Sequence, residues 1–340
     1  MEQESLNKSF LNAATTGRLE KTKALLSQGA EINAVNTMGS TALMWAAMKG
    51  HDEIVRLLLE QMGPKININA VNETRKTALM FAAEKGHDKI VRLLLEQKGP
   101  KVDINAVDGD KSTALMLAAG HGHDKIVKLL LEQTNPKVDI NAVDGDKSTT
   151  LMLAATNGHD KIVGLLLEQT DPKVDINAVD GDKSTALTLA ATNGNTETVK
   201  LLLNVMSRNL NNPELIPLIQ AEVSKALRAI ILNHPESITA FHLFARKHPD
   251  TFPGLEMKIN LLKTKFAAEF AQRTRAKDSD PDPYVPHYQA MCRELGLYLP
   301  PTVTIVATET EDAAGNKTTT DYMGDTSLFE RALNYLRRLR

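Results

Sequence analysis

Nucleophilic catalysis in this sequence would have to start from Cys292, its single cysteine. His287, His242 and His248 belong to the same region, and a thiol and an imidazole that meet in space make a nucleophile and its base. The competing reading is packing, because Cys292 falls beside Met291 and Leu295 on the apolar side of a short helix. Metal chemistry has two starting points. Asp108-Gly109-Asp110-Lys111-Ser112 imitates the opening ligands of a calcium loop, but Ala119 stands where the closing glutamate belongs, which favours a turn. His121 and His123 could share a metal, yet His51, His87, His123 and His159 recur at one phase of a repeating sequence, which favours a structural role. Gly109 to Thr113 resembles the tail of a phosphate-binding loop, without the glycine before the lysine or a strand leading in. Asp278, Asp280 and Asp282 alternate with proline and read as a solvated linker. Arg331, Arg337, Arg338 and Arg340 offer charge to an acidic lipid or a phosphorylated partner, or simply form a solvated helix face. None of these patterns calls for a cofactor or a metal.

The elements that hold most of these residues repeat. Thr41-Ala42-Leu43-Met44 returns at 77–80 and 113–116, as Thr149-Thr150-Leu151-Met152, and as Thr185-Ala186-Leu187-Thr188, a period of 36 residues. A fixed period of this size is one supersecondary unit stacked on copies of itself, since a single unit cannot bury its own apolar face. Within 113–148 the threonine is placed to cap a short apolar helix that breaks at Gly122. A second helix from Asp124 carries Ile126, Val127, Leu129, Leu130 and Leu131 as a wide apolar stripe. Pro136 lies beyond its end, Val138 to Val143 alternates, and Asp144-Gly145-Asp146 supplies a turn. The unit is therefore helix, turn, helix, then an extended loop or hairpin.

On these residues the chain resembles the ankyrin-repeat family. The resemblance rests on Thr149 to His159, Ile162-Val163-Gly164-Leu165-Leu166-Leu167 and Asn177-Ala178-Val179-Asp180, with five units in phase. A divergent sixth comes first: Phe10-Leu11-Asn12-Ala13-Ala14, Gly17, Leu25-Leu26, Gly29-Ala30 and Ile32-Asn33-Ala34. It implies a mostly α fold in which residues 1–208 form an ankyrin-repeat solenoid of helix-turn-helix units and finger loops. It also implies binding of a protein partner through finger tips and the inner-helix face. By motif position those residues are Met38, Ser40, Met48 and Lys49; Thr74, Lys76, Glu84 and Lys85; Asp110, Ser112, Gly120 and His121; Asp146, Ser148, Thr156 and Asn157; and Asp182, Ser184, Thr192 and Asn193.

Three departures qualify the resemblance. A three-residue insertion follows the outer helix, as at Asn135-Pro136-Lys137. Methionine at 44, 80, 116 and 152 replaces the family's histidine, exchanging a polar bridge for apolar packing. The finger glycine survives only as Gly39, its equivalents being Arg75, Lys111, Lys147 and Lys183; Arg75 and Lys111 join the candidate contacts on that ground. Trp45 and Phe81, in a position usually leucine, are expected in the core. Residues 113–148 and 149–184 differ at only five positions, two of them (120/156 and 121/157) on the expected contact face. Variation on a fixed frame and drift after a recent duplication both account for that.

Residues 209–340 resemble no family. Helices are expected from about Glu214 (Leu215, Ile219, Val223, Leu227, Ile231), after Pro235 (Ile238, Phe241, Leu243, Phe244), after Pro253, over 288–297 and over 327–339. A small β-hairpin is expected over 302–323. The whole chain has 340 residues and a net charge of −2, and the part from Pro213 onward holds 16 basic and 16 acidic residues, which is no nucleic-acid binder's balance. One cysteine fits a reducing compartment, no secretory h-region is visible near Met1, and no apolar run reaches membrane-spanning length. The expectation is a cytoplasmic, monomeric adaptor or scaffold that binds protein and neither nucleic acid nor membrane. Near-identical ankyrin-like copies beside an unfamiliar helical region also resemble effectors that intracellular bacteria deliver into host cytosol. The alternative is an enzyme whose catalytic residues lie in 209–340 and whose array delivers it to substrate.

Overall fold

The computed structural model describes residues 2–61, 65–97, 99–233, 238–253, 255, 256, 259, 308–311 and 317–320. Helix pairs α1 (Glu2–Thr15) and α2 (Leu19–Ser27), α3 (Ala42–Lys49) and α4 (Asp52–Leu59), and α5 (Ala78–Lys85) and α6 (Asp88–Leu95) open the chain. They continue as α7 (Ala114–Gly120) and α8 (Asp124–Leu131), α9 (Thr150–Thr156) and α10 (Asp160–Leu167), and α11 (Ala186–Thr192) and α12 (Thr196–Asn209). The first helix of each pair packs on the first of the next, and likewise the second, giving an inner and an outer row.

Each inner helix from α3 on begins at its threonine, whose hydroxyl accepts the N3 amide: Met44, Met116 and Met152 at 3.3 Å, Met80 at 3.2 Å and Thr188 at 3.3 Å. A cap of this kind is worth about 1 kcal/mol. The methionine departure behaves differently from the expectation. Met44, Met80 and Met152 turn Sδ back to accept the threonine's own amide at 3.4 Å, so a weak polar bridge survives inside the apolar contact.

The outer helices bury the first, second and fifth residues of each Ile-Val-x-Leu-Leu run, such as Ile126, Val127 and Leu130, all at 1% exposure or less. The turn histidines then join neighbouring pairs. Nε2 of His51, His87, His123 and His159 lies 3.1, 3.2, 3.0 and 3.2 Å from the carbonyls of Thr15, Met48, Glu84 and Gly120 in the preceding unit. Each ring lies over a left-handed glycine; at Gly86 (φ +79°) a Cβ would come within 2.6 Å of the His123 ring. Asn195 takes the last of these places and donates to Ala155 and Thr156.

The first compact unit runs from Met1 to Phe244, past the 208/209 boundary expected from the repeat. The reason is α13 (Ile216–Asn233), reached through a single 3-10 turn at Pro213–Leu215, which packs on α11 where the next inner helix would lie. It buries Ile219, Val223, Ala226 and Leu227, and Thr185 Oγ1 donates to Glu222 at 2.8 Å. In α14 (Ile238–Lys247), Ile238, Phe241 and Phe244 are buried as expected, while Leu243 is 58% exposed because it falls on the opposite helix face.

The second unit spans Ala245–Arg340. Its described part holds buried Phe252, Leu255 and Ile259 and an antiparallel hairpin, β1 (Thr308–Glu311) with β2 (Lys317–Thr320), in register Thr308 opposite Thr320. Both strands fall within the span 302–323 where a hairpin is expected, and residues 302–307 lie outside the described residues. The helices expected over 288–297 and 327–339 lie outside the described residues, as does most of the one after Pro253.

Candidate recognition cleft

The fingers owe their shape to one residue each. Asp108 is 4% exposed, and its Oδ1 accepts the amides of Asp110 and Ser112 at 3.0 and 2.8 Å. Asp144 and Asp180 do the same for Asp146 and Ser148 and for Asp182 and Ser184, while Asn36 does so for Met38 and Ser40. The first ligand of the imagined calcium loop is thus engaged by backbone, and among the described residues no group of three His, Cys, Asp or Glu side chains is placed to hold a metal ion. The turn forces its fourth residue left-handed: Arg75, Lys111, Lys147 and Lys183 have φ of +62°, +61°, +62° and +59°, beside +71° at Gly39. Adjacent fingers are then laced together by backbone. Glu73 donates to Met38 at 3.0 Å, Gly109 to Thr74 at 2.9 Å, and Gly145 and Gly181 to Asp110 and Asp146 at 2.8 Å.

Between the first three fingers and helices α3 and α5 lies a pocket of about 600 Å³. It gathers Met38, Ser40, Met48, Thr74, Lys76, Glu84, Lys85 and Asp110 from the expected contact residues. It also gathers two residues expected in the core. Trp45 and Phe81 are half-buried and line the pocket, because the fifth residue from the threonine cap faces the finger and not the neighbouring helix row. The signal that would have found them was present: an aromatic where Leu117, Leu153 and Leu189 stand in later units.

One edge of the pocket is charged. Glu84 is held between Lys76 Nζ at 2.6 Å and Lys85 Nζ at 2.7 Å, and Lys76 Nζ sits 6.0 Å from the centre of the Phe81 ring. Burial pushes the Glu84 carboxyl up, but the hydrogen bonds and charges of Lys76 and Lys85 outweigh it and hold the group below the ordinary carboxylate value.

The rest of the expected contact residues fall elsewhere. Lys49, Arg75 and Lys111 are exposed outside the pocket lining. Further along, the inner-helix side chains turn back on their own helices. His121 Nδ1 lies 2.9 Å from Leu117 O, Asn157 Nδ2 donates to Leu153 at 3.0 Å, and Asn193 Nδ2 to Leu189 at 2.8 Å. Thr156 and Thr192 donate to Met152 and Thr188, both at 2.8 Å. Gly120, Ser112, Ser148 and Ser184 are half-buried, and Asp146 and Asp182 are exposed at identical tips. The structure therefore concentrates shape and charge in the second and third units.

His242 lies in α14, and burial, then the adjacent Lys247 charge, pushes His248 below the usual histidine value. Cys292, His287, Asp278, Asp280, Asp282 and the arginines from Arg331 on lie outside the described residues. Among the described residues no helix is long and apolar enough to cross a membrane.

No curated protein matched the chain. The family description "Ankyrin repeats (3 copies)" matches residues 10–108 and 100–180, and "Ankyrin repeat" matches 182–213. Repeats of this family generally mediate protein–protein interaction. With capped inner helices, laced fingers and the family match all coinciding over the same residues, this chain belongs to the ankyrin-repeat family.

Proposed function

We propose that this protein is a non-enzymatic adaptor whose repeat array binds a partner protein in the cleft between fingers and inner helices. The grip is centred on the second and third units, and the later units extend it with a uniform polar surface. The observation that carries this reading is the pair of half-buried aromatic rings, Trp45 and Phe81, in a pocket of about 600 Å³ rimmed by Lys76, Lys85 and Asp110. Aromatic anchors surrounded by a polar rim are the usual centre of binding energy at protein interfaces, and a half-exposed tryptophan carries a desolvation gain that only a partner realises.

The reading is tested by selecting binders to the full chain from a displayed peptide library. They are then measured against F81A/K85A in the cleft and against K125A/K161A on the outer helices. Loss of at least about tenfold in affinity for the cleft pair alone is expected, from hot-spot energetics. Binders indifferent to the cleft pair sink the proposal.

A further inference from the structure

We infer that the Trp45–Phe81 pocket takes one large apolar side chain of a partner protein with a carboxylate adjoining it; the inference rests on the recognition reading above and specifies its ligand. Three observations carry it. The walls are Trp45, Phe81, Met38 and Met48, flat rings and adaptable thioethers suited to a ring or a long aliphatic chain. A volume of about 600 Å³ admits one such group with its flanking backbone. The pocket is also local to this end of the array, because the positions of Trp45 and Phe81 become leucine, and those of Met48 and Glu84 become Gly120, Thr156 and Thr192.

The charge preference follows from the charged edge. Two ammonium groups share the single Glu84 carboxylate, at 2.6 and 2.7 Å. An ammonium has three donors, and each lysine makes one hydrogen bond to Glu84, leaving donors on both. On the acidic side, two finger carboxylates also line the pocket: Asp108, 4% exposed with its Oδ1 held by the amides of Asp110 and Ser112, and Asp110. Beside Phe81, where Lys76 lies, a cation would meet two ammonium groups around an already paired Glu84 and an anion would meet unused donors, whereas Asp108 and Asp110 belong to the neighbouring finger. Lys76 Nζ lies 6.0 Å from the Phe81 centroid, which sets the donors at the edge of the apolar wall. A ring stacked on Phe81 therefore brings an attached carboxylate to them.

Trp45 is the only tryptophan of the chain, so its emission reports pocket occupancy directly in the full-length protein. The probes are 4-phenylbutyrate, 4-phenylbutanamide and 4-phenylbutylamine, one skeleton with three charges, each titrated by Trp45 emission and by saturation-transfer NMR. The carboxylate is expected to bind tightest and the amine weakest, the extremes differing by about fivefold at low salt, as befits a partly exposed ion pair. The double variant K76M/K85M is expected to abolish the carboxylate's advantage while leaving the amide within about twofold, since its apolar contacts stay. Equal binding of all three, preference for the amine, survival of the advantage in the double variant, or no binding by either method overturns the inference. Any of those results leaves the recognition reading to its own test with selected binders, whose indifference to the cleft would fail that reading whatever the fragments do.

Discussion

A hydroxyl buried without a partner is a local fault that a near-identical repeat exposes by comparison. Thr150 is fully buried and its Oγ1 has no hydrogen-bond partner, where Ala42, Ala78, Ala114 and Ala186 occupy the same place in the other units. Desolvating an unsatisfied hydroxyl costs on the order of 1–3 kcal/mol, so Thr150→Ala is expected to stabilise the protein by about 1 kcal/mol after loss of the methyl's packing. Urea denaturation decides it; a less stable variant would mean that the hydroxyl is satisfied in solution. Glu84 gives the opposite case. Its folded pKa is depressed, so its contribution is fully present above the unfolded carboxylate value and is lost as pH falls through the folded one. The stability gap between the protein and Glu84→Gln should therefore be constant around neutrality and shrink in acid below the ordinary carboxylate range. A gap that persists unchanged through that range would show that the lysine clamp does not bias ionisation.

Among the elements, the extended segments before the fingers carry a ladder whose rungs can be compared one with the next. Asn141 donates to Lys173 O at 3.0 Å and accepts from Asp175 N at 2.8 Å. Asn33, Asn69 and Asn105 make the same pair with the unit that follows each. Asn177 has no further unit to hold, and its Oδ1 is buried without a partner. Asn141→Ala is expected to cost about 2 kcal/mol for two lost bonds, and Asn177→Ala less than about 0.5 kcal/mol. Thermal denaturation of the two variants side by side checks this, and equal losses would refute the ladder's role. Much of this level was legible in advance. Threonine caps, the apolar stripe and the Asp-Gly-Asp turn are local signals, so the helices and fingers follow from the residues themselves. Trp45 and Phe81 were misread because which side of a short helix faces a finger depends on the neighbouring unit's placement, which no local pattern encodes. The hairpin was legible as a span, since β-branched runs flank Gly315 and Asn316, and Thr308–Glu311 pairs with Lys317–Thr320 inside it.

A stack of repeats is only as secure as its ends, because each unit is stabilised mainly by its neighbours. In the first unit α1 is tied to the turn after α2, where Asn7 Oδ1 accepts Glu31 N at 2.9 Å and Gln3 Nε2 donates to Gly29 O at 3.1 Å. The other end is closed by α13, whose Ile219 and Val223 are buried at 1% exposure or less and whose Lys225 ammonium donates to the Lys183 carbonyl. The periodic pattern places the end of the array at 208, but a chain cut there would present α11's apolar face to water. A protein truncated after Phe244 is thus expected to keep amide-exchange protection through α11 and α12. One truncated after Arg208 should lose protection in those two helices first while α3 to α7 remain slow, since opening propagates inward one unit at a time. If the shorter chain protected α11 and α12 as well as the longer one, α13 would be a passenger on the last repeat, and the cap would have to lie within the repeat itself. The same measurement bears on recognition, because the aromatic pocket sits in the second and third units, far along the sequence from this end. Binding in the cleft should survive the loss of α13 even as the last repeat frays, which would separate the part of the array that recognises from the part that is merely kept folded.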